Sequence, residues 1–272
     1  MEQIEYDVFK TYEAIAGDTD PFYDRVYFHT NENLRSLFSN FSVAGKDVFC
    51  VMSSGDHFLS SYYLGASNVD AFDINRLTFY YYYLRKWGFE QKDILYPDGI
   101  LRGDGEFLRE LISHVHPRNM EEERAFQYWK ILSFGNAVYN KKIFYSGYSF
   151  FDLPFSNDLS RIKEIVSNQE THFQLMDFFS SQSFDKEYDV VILSNILEYC
   201  CDDQQLLENC HDNLSRLLKK DGVAVCSSLM DYGSSSLERK VMSSDFSFAA
   251  FPKSYNEILN TDIPVGYCYV KK

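Results

Sequence analysis

Four apolar stretches of the chain are each followed, directly or after one residue, by a group that includes small or polar residues, the types that contact polar ligands. The stretches read DVFCVM, NVDAF, HFQL and YDVVIL. The residues that follow them are, in order, Ser53, Ser54, Gly55 and Asp56; Asp73, Ile74 and Asn75; Asp177 and Phe178; and Ser194 and Asn195. A glycine lets the main chain approach a ligand closely, and the free N–H groups of a helix start can bind it. The pattern predicts a site for a nucleotide-like molecule.

The distance along the chain between Gly55 and Asp73 strengthens this prediction. Asp73 follows Gly55 by 18 residues, close to the roughly 20 expected between a glycine turn and a carboxylate that binds ribose hydroxyls. Each residue also has a plainer interpretation. Asp73 and Asn195 could cap the helices that follow them, and Asp177 could be a solvated loop acid. A nicotinamide dehydrogenase would carry G-x-G-x-x-G after the first strand, and this chain does not.

The elements that must position these residues alternate between strands and helices. We expect strands at 47–52, 68–72, 172–175, 188–193 and 223–227, and a C-terminal pair at 246–251 and 265–270. Helices are expected at 57–64, at 76–87 with an end near Gly88, and at 204–219 with a turn at 219–222. This order predicts an α/β fold with a doubly wound, mostly parallel sheet. Ligands of such sheets bind outside the carboxyl ends of the strands.

The chain reads as a single domain, 1–272, with two additions to the sheet. Residues 1–46 form a largely helical N-terminal segment by their periodicity. Residues 91–168 form a mainly helical insertion after the second strand, punctuated by prolines and glycines. We expect the insertion to shape the substrate side.

Composition narrows the class of partner. The net charge is −14, and such a field repels phosphate backbones and anionic lipids. We therefore expect a small-molecule substrate and no nucleic acid. No apolar run approaches the roughly 20 residues of a membrane span, and the acidic N-terminus MEQIEYDVFK lacks the apolar core of a signal peptide. The expected location is the cytoplasm, and the sequence does not predict an oligomeric state.

Six cysteines raise the question of a metal site. Cys50 and Cys226 lie in apolar strands and read as small buried hydrophobes. Cys200, Cys201 and Cys210 match no paired zinc-ligand spacing, so we expect no metal.

The chain resembles the class I S-adenosylmethionine-dependent methyltransferases. YDVVILSNILEYC resembles the fourth-strand motif of that superfamily, FQLMDFFS its third-strand motif, VDAFDIN its second-strand end, and LLKKDGVAVCSS the passage into its fifth strand. The likeness covers about residues 45–90 and 170–230. It implies a Rossmann-like methyltransferase fold and S-adenosylmethionine as cofactor. It also implies that Asp73 holds the ribose, that Asp177 and Phe178 flank the adenine, that residues 53–56 lie against the methionine portion, and that Ser194 and Asn195 lie near the sulfonium.

The first turn departs from the superfamily pattern. Where acid-x-Gly-x-Gly-x-Gly is usual, this chain has MSSGDH with one glycine, Gly55. The variant is similar to a less common branch that includes the 3-amino-3-carboxypropyl transferases of betaine-lipid synthesis. The leading hypothesis is methyl transfer to a small molecule. The alternatives are 3-amino-3-carboxypropyl transfer from the same cofactor, and a non-catalytic scaffold that has kept the fold.

Catalytic residues are weakly encoded, because methyl transfer depends mainly on alignment of the two reactants. His57 could face the pocket, although a solvent-exposed position in the first helical turn is the more common arrangement. Tyr27 and His29 precede the first strand, and Glu198 follows the fourth. The Tyr80–Tyr83 run could form an aromatic cage for a cation, but at helical spacing it is expected to pack against the sheet.

Overall fold

A computed structural model gives the fold. It describes residues 2–16, 20, 22–23, 26–27, 29–30, 32–94, 106–134, 144–145, 153–155, 158–180, 183–199, 203–227, 245–251, 253–256, 261–264 and 266–272.

A seven-stranded sheet forms the centre of the described structure. Its strands are β2 (Asp47–Val51), β3 (Asn68–Asp73), β5 (His172–Leu175), β6 (Tyr188–Ser194), β7 (Leu218–Ser227), β8 (Phe246–Ala250) and β11 (Gly266–Lys271). Their order is β5-β3-β2-β6-β7-β11-β8. The five strands from β5 to β7 are parallel, and β11 runs antiparallel to both β7 and β8. The predicted doubly wound, mostly parallel sheet is confirmed.

Eight α-helices, four short strands and a 3-10 helix (Ile196–Tyr199) complete the described elements. The helices are α1 (Glu2–Ala16), α2 (Leu34–Phe38), α3 (Asp56–Tyr63), α4 (Arg76–Lys92), α5 (Glu106–Ser113), α6 (Met120–Phe134), α7 (Leu159–Asn168) and α8 (Gln204–Leu217). The short strands are β1 (Val26–Tyr27), which pairs with β4 (Phe144–Tyr145), and β9 (Lys253–Asn256), which pairs with β10 (Thr261–Pro264).

The sheet separates two apolar cores because its central strands are apolar on both faces. In β2, Val48 and Cys50 belong to the core that α3 and α4 help to form, whereas Phe49 belongs to the core under α8. Phe49 stacks on Phe72 with ring centroids 4.8 Å apart. Burial of every side chain from Val48 to Val51 explains the continuous apolar run in the sequence.

Two expected element ends differ in the structure. Helix α4 passes through Gly88 and ends at Lys92, where Asp93 takes a left-handed conformation with φ 55°. Gly88 is buried there, and packing outweighs its low helix propensity. The expected turn at 219–222 is instead part of β7, whose pairing with β6 shifts register between Leu218 and Val223. Asp221 adopts φ 62° within this irregular stretch.

None of the described helices combines the length and the apolar composition that crossing a membrane requires.

Candidate functional site

The turn after β2 is a tight structure built on two left-handed residues. Ser53 has φ 46° and Gly55 has φ 90°. The Gly55 N–H donates to the Met52 carbonyl at 2.6 Å. A Cβ on Gly55 would stand 3.0 Å from Cδ2 of Tyr82. This position needs glycine both for its backbone angle and for the space that the buried Tyr82 ring leaves.

Asp73 joins the end of β3 to this turn. Its Oδ2 accepts from the Ser53 N–H at 2.8 Å, and its Oδ1 accepts from the Asn75 N–H at 2.9 Å. Burial raises the pKa of Asp73 to about 6, although the N–H groups of Asn75 and Ser53 act in the opposite direction. Each carboxylate oxygen has further lone pairs, so Asp73 can accept hydrogen bonds from the hydroxyls of a ligand.

The segment after Asp73 begins helix α4, and its cap is Asn75. The Asn75 side chain accepts from the Leu77 N–H at 3.0 Å. The alternative in which Asp73 itself caps α4 does not match this geometry. Ile74 lies between the two and contributes its main chain to the hydrogen bonds around the Asp73 carboxylate.

Asp56 lies in the predicted turn, but its carboxylate is engaged inside the protein. Its Oδ1 pairs with Arg85 of α4 at 2.9 Å, and its Oδ2 accepts from the Ser54 hydroxyl at 2.8 Å and the Thr30 N–H at 2.7 Å. Asp56 is fully buried and Arg85 is 1% exposed. Arg85 also donates to the Ser54 carbonyl. These contacts indicate that Asp56 and Ser54 hold the turn in shape, and the expectation that residues 53–56 lie against a ligand stays a prediction.

The end of β5 delivers Asp177 and Phe178 with different surroundings. Asp177 is partly exposed, and its Oδ1 accepts from the Phe179 N–H at 2.9 Å. The Phe178 ring is buried in the core under α8 and stacks on Phe72 at 5.1 Å. The ring therefore packs in the same core as the apolar residues of α8, and the expectation that Asp177 and Phe178 flank an adenine stays a prediction.

A buried polar cluster lies where β6 ends, and we call Glu32, His57 and Ser194 the Glu32 cluster. Glu32 Oε2 is 2.8 Å from His57 Nε2, and Glu32 Oε1 accepts from the Ser194 hydroxyl. Their exposed fractions are 3%, 0% and 5%. Ser194 holds φ 56° and lies 3.2 Å from the Asn195 side chain, which is partly exposed.

The charges of the Glu32 cluster follow from its contacts. Burial alone would raise the pKa of Glu32, but His57 and the Ser194 hydroxyl lower it overall. Burial alone would lower the pKa of His57, but the Glu32 carboxylate raises it overall. Both shifts favour the charged forms, an imidazolium facing a carboxylate. His57 is not the exposed first-turn residue that its position suggested, because Glu32 lies against it. The sequence analysis did not single out Glu32. Its only sequence signal is its position, two residues before the short helix α2.

The other catalytic candidates are less closely tied to the strand ends. Tyr27 lies in β1 and is partly buried. His29 is partly buried, and its Nδ1 lies 3.0 Å from the carbonyl oxygen of Thr30. The N–H of the same Thr30 donates to Asp56. Glu198 lies in a short 3-10 helix, Ile196–Tyr199, and its side chain is outside the described residues.

The tyrosine run has a packing role, as expected. All four rings from Tyr80 to Tyr83 are buried. Tyr80 stacks on Tyr128 with ring centroids 4.4 Å apart. The Tyr82 and Tyr83 rings pack edge-on against Phe173 of β5. The described contacts give no aromatic cage.

Within the described residues, no group of three or more His, Cys, Asp and Glu side chains could hold a metal ion. Cys200 and Cys201 fall outside those residues. Cys50, Cys210 and Cys226 are buried, and burial raises the pKa of the Cys50 thiol well above its usual range.

The sequence matches no protein-family profile and none of the curated proteins. Solved structures resemble the fold. The N-methyltransferase NodS from Bradyrhizobium japonicum WM9, in complex with S-adenosyl-L-homocysteine, is 11% identical with a TM-score of 0.44, over 97% of this chain and 98% of NodS. The glycopeptide N-methyltransferase MtfA, also complexed with S-adenosyl-L-homocysteine, is 8% identical with a TM-score of 0.48, over 91% and 92%. An rRNA methylase from Streptococcus thermophilus is 7% identical with a TM-score of 0.39, over 85% and 89%. Such likeness does not establish a shared activity.

Proposed function

We propose that this protein is an S-adenosylmethionine-dependent transferase that transfers the methyl group to a small-molecule acceptor. The observation that carries the proposal is the Asp73 carboxylate at the carboxyl end of β3, joined at 2.8 Å to the main chain of the turn after β2. In a parallel sheet this is where ligands bind. A carboxylate with free lone pairs beside a glycine turn is suited to a ribose next to a close-lying main chain.

The residues at the strand ends fit this cofactor without a metal or a second group. Asp73 would accept the ribose hydroxyls, and the main chain of Ser53 and Gly55 would lie against the methionine portion. Asp177 would lie near the adenine, and Ser194 and Asn195 near the sulfonium. The bound cofactor supplies an electrophilic methyl group, and the protein has to align the acceptor with it and exclude water. The charge of −14 favours a small molecule over a phosphate polymer as acceptor.

Thermal unfolding with S-adenosylmethionine and with S-adenosylhomocysteine tests the proposal. Ligand at 100 times its dissociation constant should add about 2.7 kcal/mol to the free energy of unfolding. Asp73→Asn should reduce the shift, whereas Glu110→Gln, a change in an exposed ion pair with Lys92, should leave it unchanged.

A well-folded sample that shows no shift with either ligand would contradict the proposal and favour a non-catalytic scaffold. If transfer is found, the product identifies its type. Methyl transfer leaves S-adenosylhomocysteine, and 3-amino-3-carboxypropyl transfer leaves methylthioadenosine.

A further inference from the structure

The Glu32 cluster brings together three parts of the chain that are far apart in sequence. Glu32 precedes α2, His57 lies in the first turn of α3, and Ser194 ends β6. Burial of charged groups is costly unless they are paired, and a buried ion pair is weak evidence of stability. Because a buried ion pair adds little net stability, its position at the carboxyl edge of the sheet makes it a candidate for a functional role.

The hydrogen bonds of the cluster have a fixed direction. An ionised carboxylate only accepts, so the Ser194 hydroxyl must donate its single proton to Glu32. The charged carboxylate is a stronger acceptor than the neutral Asn195 amide oxygen, 3.2 Å away. Ser194 Oγ therefore keeps only lone pairs for any further partner. A molecule that binds there has to present an N–H or O–H group.

The backbone conformation of Ser194 supports a functional role for this residue. Its φ of 56° is a left-handed conformation that non-glycine residues rarely adopt. Strain of this kind persists where the surrounding structure holds it, and it concentrates at binding and catalytic sites. The bond to Glu32 is a contact that holds the side chain in a single orientation.

We propose that Ser194 is a catalytic residue that accepts a hydrogen bond from the attacking nitrogen of a primary or secondary amine, with Glu32 and His57 as its positioning residues. The inference rests on the proposed function, and it names the class of acceptor. An amine is favoured over an alcohol because Glu32 accepts from His57 and Ser194 and its pKa is lowered by them, which makes its carboxylate a poor acceptor for a proton. A hydroxyl needs a base to remove its proton during attack, whereas a neutral amine attacks with its protons in place. The charge of −14 also attracts amines, which circulate as cations.

The transfer step balances without another reactant. The amine, in its neutral form, donates one N–H to Ser194 Oγ, which directs its lone pair at the methyl carbon. The lone pair forms the N–C bond while the C–S bonding pair passes to sulfur. The positive charge moves from sulfur to nitrogen, beside the Ser194–Glu32 hydrogen bond. The methylated ammonium loses its additional proton to solvent after transfer.

The test is methyl transfer from radiolabelled S-adenosylmethionine to a panel of matched acceptors. The panel holds aliphatic, aromatic and sugar amines and linear diamines, each beside the alcohol and the tertiary amine of the same carbon skeleton. Transfer to primary or secondary amines, without transfer to their alcohols or tertiary amines, is expected. Preference for the alcohols or tertiary amines, or no transfer to any amine by a protein that binds S-adenosylhomocysteine, would overturn the inference.

Two variants test the residue roles. Ser194→Gly removes the hydroxyl and suits the left-handed backbone, so it should fold and keep measurable affinity for S-adenosylhomocysteine. Its kcat should fall by roughly 10- to 100-fold, the size of effect that misplacement of a reactant causes. Glu32→Gln should lower kcat similarly at unchanged KM for the cofactor, and should also let His57 lose its proton near neutral pH, as NMR of the imidazole would show.

The outcomes separate the inference from the proposed function. If neither cofactor nor product binds, the proposed function fails. If both bind and either variant keeps the wild-type kcat on amines, the assignment of Ser194 and Glu32 fails, while the proposed function stands.

Discussion

Two pairs of acidic residues, one pair at each edge of the sheet, are held in opposite ways. At the carboxyl edge, Asp56 and Asp73 are buried and bound by main-chain N–H groups, a hydroxyl or a buried guanidinium. At the amino edge, Asp47 and Asp189 share Lys219, with each Nζ–O distance 2.9 Å. The Lys219 side chain is 38% exposed. The ion pairs of Lys219 lie at the protein surface, whereas Asp56 and Asp73 lie inside the protein.

The difference shows at which edge charged side chains are buried despite the free-energy cost of removing them from water. A surface ion pair contributes little and is screened by salt. A buried acid is costly to desolvate and leaves a larger penalty when a partner is removed. Such a penalty is tolerated where the geometry of a site has to be fixed. The same substitution type should therefore have unequal effects at the two edges.

The largest expected effect is at Arg85. Arg85→Met leaves the buried Asp56 carboxylate without its cation and should cost about 3–5 kcal/mol in the free energy of unfolding. Urea unfolding followed by circular dichroism measures it. The double variant Asp56→Asn with Arg85→Met removes the unpaired charge and should recover part of the loss. A single variant as stable as the wild type would contradict the buried pair.

Two glycines allow a matched comparison between the edges. Gly45, just before β2 at the amino edge, has φ 71°, and no atom lies within 4 Å of the place where a Cβ would stand. Gly55 has φ 90°, and a Cβ there would lie 3.0 Å from Tyr82 Cδ2. Gly45→Ala should cost roughly 1–2 kcal/mol through backbone strain alone. Gly55→Ala should cost about 1–3 kcal/mol more, because the added methyl overpacks the core. Equal losses in urea unfolding would show that the contact with Tyr82 is unimportant.

The pH dependence of cofactor binding depends on Asp73. Ribose hydroxyls bind the ionised carboxylate, and burial raises the pKa of Asp73 to about 6. Affinity for S-adenosylhomocysteine should therefore strengthen as pH rises through about 6 and then level off. Asp73→Asn should lose about 10- to 100-fold in affinity, the worth of a hydrogen bond to a charged group, and should flatten this profile. Calorimetric titration from pH 5 to pH 8 measures both.

The same carboxyl group has the opposite effect on stability. Between pH 3.8, which is the ordinary pKa of an aspartate, and about pH 6, the carboxyl group is protonated in the folded protein and ionised in the unfolded chain, because burial raises its folded pKa to about 6. Its contribution to the free energy of unfolding is therefore greatest at low pH and falls as pH rises to about 6. Subtracting the profile of Asp73→Asn from that of the wild type isolates this contribution. A difference that grows as pH rises over this interval would contradict the burial of the carboxyl group.

The smallest effect is expected at the amino edge. Lys219→Ala should cost about 0.2–1 kcal/mol, the usual range for exposed ion pairs. The difference should shrink further in 1 M salt. A loss as large as that of Arg85→Met would remove the contrast between the edges.

The sequence predicts the sheet and the places where its strands end, because apolar runs and glycine turns are local signals. It also predicts the place of Asp73 at the end of a strand beside the turn, whereas the ligand-binding role of Asp73 stays a prediction. It does not reveal Glu32, because the partners of that residue, His57 and Ser194, are 25 and 162 residues away. For the same reason the burial of His57 could not be read from its place in a helix. The direction of the Phe178 ring depends on α8, which a motif of eight residues does not contain.

The bond between Asp73 and Ser53 bears on the thermodynamics of binding. Together with the Arg85 contact to the Ser54 carbonyl, it orders the turn after β2 in the protein alone. A ligand that binds there does not have to immobilise a loose loop, and immobilisation is a major unfavourable contribution to association. The turn should have the same conformation in the free and bound protein, so the entropy change on binding should carry little loop-ordering penalty.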